Sequence, residues 1–174
     1  MSQPYSAALP ITHVLLRILI VVNWLTMPVI LALLFVLPNE QWIMSALDLR
    51  PGGDAERVIL GLRSIAAIGL ATIPINFLIL KRLLAIVETV RAGQAFVAAN
   101  AARLQTIAWA LLTLQVLSLV IGSIVRAISS AAARPLDIDA GFSINGWLAV
   151  LLAFVLARVF AEGALMREDL EGTV

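Results

Sequence analysis

The chain has 174 residues, of which 61 % are apolar and 13 % charged, with a formal net charge of +1. A soluble domain carries about 25 % charged residues, so this chain has too little polar side chain to cover a globule in water. Neutrality overall excludes bulk attraction to nucleic acid, the absence of cysteine excludes disulfides and thiolate metal sites, and one histidine, His13, is too few for an imidazole-ligated metal.

The first apolar run, from about Ile11 to Leu37, is longer than the roughly 7–15 residues of a signal-peptide core and is read as a retained helix. A spanning helix needs about 20 mostly apolar residues. The remaining qualifying stretches are Val58–Leu80, Ile107–Ile128 and Phe142–Phe160. The expected fold is an all-α integral membrane protein, an antiparallel bundle of four transmembrane helices in a single domain, 1–174. The helices are placed at about 11–37, 55–92, 98–129 and 143–166.

Between the first two helices lies a connection in which Asn39 is placed to cap a short interfacial helix carrying Trp42, Ile43, Leu47 and Leu49; an ordinary loop with an interfacial tryptophan fits equally well. The second helix follows Pro51-Gly52-Gly53, with Asp54 as its cap, and meets no breaker before Gly93, a C′ glycine. Its length exceeds the bilayer's thickness. The second helix, and the third with it, are therefore expected to extend beyond the membrane. Lys81, Arg82, Arg91 and Arg103 crowd the second connection, which the positive-inside rule makes cytoplasmic. Both termini are then cytoplasmic as well. Seven basic residues fall inside against three in the outer connections, or five when Arg63 and Arg126 near the outer helix ends are counted. A bacterial inner-membrane location is expected.

Polar residues in a span are costly and turn towards the bundle interior. At 100° per residue, Gly61, Gly69, Thr72 and Asn76 share one sector of the second helix, and Gln115, Ser118, Gly122 and Arg126 share one sector of the third. These stripes are expected to face each other, giving an intramembrane polar site of Asn76, Gln115, Arg126 and Arg63. Two readings of Arg126 and Arg63 stand: an anion-binding or gating charge, or an arginine paired with an outer carboxylate such as Asp137 or Asp139, or reaching the headgroups. On the fourth helix Gly146, Ala149, Ala153, Ala157 and Ala161 form a small-residue stripe that permits close helix contact. That contact is either within the bundle or between copies in a homo-oligomer. His13 is read either as a pH-responsive group or as a solvated interfacial side chain.

No Ser-His-Asp set, phosphate-binding loop or carboxylate pair is present, so neither an enzyme nor a cofactor is expected.

Two segments carry a resemblance. The first is RAGQAFVAANAARLQTIAWALL, residues 91–112, with Arg91, Gly93, Phe96, Asn100, Arg103 and Leu104; the second is LARVFAEGALMREDLEGTV, residues 156–174, with Val159, Phe160, Gly163, Glu168, Asp169, Thr173 and Val174. Together they resemble the bacterial membrane-protein family named domain of unknown function 2975. Members of that family often place Pro before the Phe and Ser or Thr after it; here Ala95 and Val97 stand instead, which removes the side-chain cap of the third helix. The resemblance implies a small four-helix inner-membrane protein without established activity, often encoded beside a very small helix-turn-helix regulator. Arg91, Phe96, Asn100, Arg103, Phe160, Glu162, Glu168 and Asp169 then form a cytoplasmic platform. It either closes on itself through salt bridges or docks the regulator, with no direct contact to nucleic acid. The leading reading is a sensor or sequestering partner. The rivals are an oligomeric small-solute or ion conduit and a structural or immunity-type membrane protein.

Overall fold

The computed structural model describes residues 5–36, 45, 53–129 and 140–171. Among these residues there are four long helices and no strand: α1 (Tyr5–Val36), α2 (Gly53–Arg91), α3 (Ala98–Ser129) and α4 (Ile144–Glu171). All four are long and apolar enough to cross a membrane, with spans Leu9–Phe35, Ala55–Arg91, Ala98–Ser129 and Ile144–Asp169. Helix α2, at 39 residues, is about 58 Å long and exceeds a hydrocarbon core of about 30 Å. Helix α1 begins at Tyr5 rather than near Ile11, and α4 continues to Glu171 rather than ending near Met166. The added residues are mostly small or apolar in α1 (residues 5–10) and mostly charged in α4 (residues 167–171). The expected interfacial segment with Asn39 and Trp42, and the carboxylates Asp137 and Asp139, lie outside the described residues.

Two compact units divide the chain. The first comprises Met1–Asn23, Pro74–Thr113 and Ile144–Val174; the second comprises Trp24–Ile73 and Leu114–Ser143. The core of the first holds Leu16, Ile107, Ala108, Ala110, Val150, Ala153, Ala157 and Ala164, with Asn100 buried among them. In the second it holds Ala55, Val58, Ile59, Ile73, Val125 and Ile128, with Gln115. Small and β-branched side chains dominate both lists. In lipid, helices gain little from hiding oil from oil, and close backbone approach through small residues supplies the dispersion that holds them.

The outward surface is that of a membrane protein. On α4, Leu148, Leu151, Leu152, Val155, Leu156 and Val159 are exposed; on α1 the same holds of Ile11, Val14, Leu15, Ile18, Val21 and Leu25. Several hydroxyls inside the spans are satisfied locally: Ser64 donates to the Leu60 carbonyl at 2.9 Å, Thr72 to Gly69 at 2.7 Å and Thr113 to Trp109 at 2.9 Å. Back-bonding of this kind removes the need for an external partner in hydrocarbon.

Candidate functional site

The turn from α2 to α3 is built by the first motif. Helix α2 ends in a Schellman arrangement: the Gly93 amide donates to the Val90 carbonyl at 3.0 Å and the Gln94 amide to Thr89 at 2.9 Å. Gly93 holds φ +77°, the left-handed conformation that this cap requires and that glycine adopts without steric cost. Helix α3 then starts at Ala98 without a side-chain cap. Asn100 fixes its entry instead. Its backbone amide donates to the Val97 carbonyl at 2.9 Å, and its Nδ2 donates to Ala95 at 2.9 Å.

Asn100 is 0 % exposed, and its amide is the hub of a network. Oδ1 accepts from Arg103 Nη1 at 2.8 Å and from the Thr89 hydroxyl at 3.0 Å. Arg103 Nη1 also donates to the Ala85 carbonyl at 3.0 Å, tying α3 to α2. A buried amide with unmet bonds would cost about 1–3 kcal/mol, so a network that meets them specifies this turn. Thr89 was not legible as a site residue, because it precedes the motif; its only signal is a hydroxyl one turn before the helix-ending glycine.

The second motif joins the first here. Phe96 lies against Phe160, with ring centroids 5.2 Å apart and planes inclined at 36°. Gly163 leaves room for the Phe96 ring: a Cβ there would stand 2.8 Å from Phe96 Cδ1. The basic loop and acidic tail therefore meet through aromatic packing over a glycine. Glu162 pairs with Arg158 of its own helix at 2.8 Å, and Arg103 is directed at Asn100 and Ala85. Beside this clasp lies a cleft of about 180 Å³ lined by Gln94, Phe96, Val97, Ala98, Arg167 and Glu168, with Ala164 at its base. Phe96 remains 46 % exposed. Arg91, Glu162, Glu168 and Asp169 are exposed, and Phe160 is half-buried. Thr173 and Val174 lie outside the described residues.

In the second unit the third-helix stripe has a different neighbour from the one its periodicity predicts. Gln115 Nε2 reaches the Ser143 carbonyl at 3.5 Å, and Ser118 Oγ lies 3.2 Å from both the carbonyl and the amide of Gly141. A Cβ on Gly122 would stand 2.6 Å from Gly141 Cα and 2.8 Å from the Ala140 carbonyl oxygen. The stripe thus receives the backbone that leads into α4. Gly61, from the other stripe, meets Ile124 and Ile128, and Gly69 meets Ile30. Arg126 is exposed and its Nε donates to the Gly122 carbonyl of its own helix at 3.1 Å. Arg63, in this unit, is half-buried, as is Asn76 in the first. Of the α4 small residues, Ala153 and Ala157 are buried within the chain, Ala149 is exposed and Gly146 is partly covered.

Among the described residues no group of three or more His, Cys, Asp or Glu is placed to hold a metal ion. Neither a curated protein nor a solved structure matches the chain. A family model matches residues 6–174, a range that takes in both motifs and all four spans. The chain is a member of that family, described as protein of unknown function (DUF2975).

Proposed function

We propose that this protein is a non-enzymatic binding protein of the bacterial inner membrane that docks a small soluble helix-turn-helix regulator. Both termini and the α2–α3 connection are cytoplasmic in this reading, which rests on the clustering of Lys81, Arg82, Arg91 and Arg103. The overlong α2 carries that connection beyond the hydrocarbon.

The observation that carries the reading is the cleft beside the clasp. It combines a half-exposed aromatic ring, Phe96, with the opposite charges of Arg167 and Glu168. An exposed aromatic rimmed by charge is the composition of a protein contact. Asn100 and Arg103 brace the turn that carries Phe96, and the platform proposed for the partner takes in Arg91, Glu162 and Asp169. The conduit reading has less support: Gln115 and Ser118 already bond the segment before α4, and Arg126 already bonds its own helix.

The test is capture of the full-length protein from native membranes with the regulator encoded beside it as bait. Wild type co-purifies, and Phe96→Ser reduces capture at least tenfold while the protein still folds. Absence of wild-type capture under every growth condition tried removes the reading.

A further inference from the structure

We propose that His13 and Glu88 form a proton-operated clamp that fastens α1 to α2. The two residues lie in the first unit, with His13 Nε2 3.7 Å from Glu88 Oε1. That separation is too long for a hydrogen bond from a neutral ring, so the neutral pair contributes little. A protonated ring faces the carboxylate as a unit charge. The His13 side chain is 15 % exposed and that of Glu88 is 55 % exposed, so the attraction acts in a medium less polar than water. Imidazole is the side chain that changes charge between about pH 5 and 8.

Helix α1 is where such a small term decides the outcome. None of its most apolar 18-residue stretch is buried, against 22–28 % for the other three helices. Leu16 is its one buried side chain among the described residues. An element with so little packing is the one that opens first. The charges next to the pair are Arg17, one turn along α1 from His13, and Arg91, one turn along α2 from Glu88, both exposed. Arg17 repels a charged ring, and Arg91 attracts the carboxylate. Both are exposed, whereas Glu88 lies 3.7 Å from the ring itself.

Glu88 also sits where movement of α1 is felt. Its carbonyl accepts the Ala92 amide at 3.1 Å in the cap of α2, and Thr89 beside it donates to Asn100. The clamp does not depend on the docking reading, and its test involves no partner.

The chain's lack of cysteine allows spin labels at Val14→Cys and Ala92→Cys, both exposed positions, in full-length protein in nanodiscs. At about pH 5.5 the labels give one short-distance population; at about pH 8 a longer population grows at least threefold. Glu88→Gln abolishes the pH dependence and resembles wild type at the higher pH. His13→Lys, charged at both values, stays short throughout. If Glu88→Gln does not fold, His13→Gln reports the same loss from the other side. An unchanged distance distribution between the two pH values in wild type overturns the clamp. So does a pH response that survives in the neutral variant.

Discussion

The α2–α3 turn and the segment entering α4 solve one problem by opposite means. Each must fix a piece of non-helical backbone against helices that carry polar side chains. At the first, the side chains do the work: Asn100 and Arg103 bond the carbonyls of Ala95 and Ala85, and Thr89 completes the hub. At the second, the removal of side chains does it: Gly122 and Gly141 let two backbones touch, and Ser118 adds a reciprocal pair of bonds to Gly141. A polar residue in a span is by default a functional hypothesis. Here the two most polar places are held by bonds to the protein's own backbone. Beside the first of these places Phe96 and Glu168 are exposed, and these are the groups the docking proposal assigns to a partner.

Substitutions test that contrast. The largest effect is expected at the hub. Asn100→Leu removes the side-chain bond to the Ala95 carbonyl and the acceptor shared by Arg103 and Thr89, and lowers stability by about 3 kcal/mol in reversible unfolding in bicelles. A loss below about 1 kcal/mol would mean that the network is dispensable. At the glycine seam, Gly122→Val drives a side chain into the backbone of Ala140 and Gly141, which cannot rotate away as a side chain does. About 2 kcal/mol is expected in the same assay. A neutral result would show that the segment before α4 does not rest on α3. The smallest effect belongs to Arg126→Gln. The arginine is exposed and its Nε bonds its own helix, so stability changes by less than about 0.5 kcal/mol. Vesicle permeability stays at the wild-type level as well. A loss of anion flux in this variant would instead revive the conduit.

The four spans were legible because length and apolarity leave no other solution for such segments in lipid. The family match likewise covers nearly the whole chain, residues 6–174. What periodicity could not give was the partner of each face. Gln115, Ser118 and Gly122 do share one side of α3, as their spacing requires, but what they meet is a connecting segment: Ser143 for Gln115, and Gly141, with φ +128°, for Ser118 and Gly122. Helical periodicity carries no information about a segment that is not helical. Asn100 was read as part of a cytoplasmic platform, and motif membership says nothing about depth; it is completely buried. Its role was written in the missing cap. With Val97 in place of a capping hydroxyl, another side chain had to secure the start of α3, and the amide in its first turn does so. Phe96, Phe160 and Gly163 were each picked out, yet only the fold shows that the glycine exists to receive the ring.

The meeting of the two motifs is the claim on which the docking shelf rests, and it can be measured in native membranes. Cysteines introduced at Ala98 and Ala164, both lining the cleft, are the only thiols in the chain and can be joined by a short bismaleimide. The expected result is rapid intramolecular cross-linking of this pair. Ala98→Cys with Leu148→Cys, displaced by about 24 Å along α4, should remain unlinked. Equal yields from the two pairs, or no product from the first while both thiols react with a monofunctional maleimide, would contradict the account.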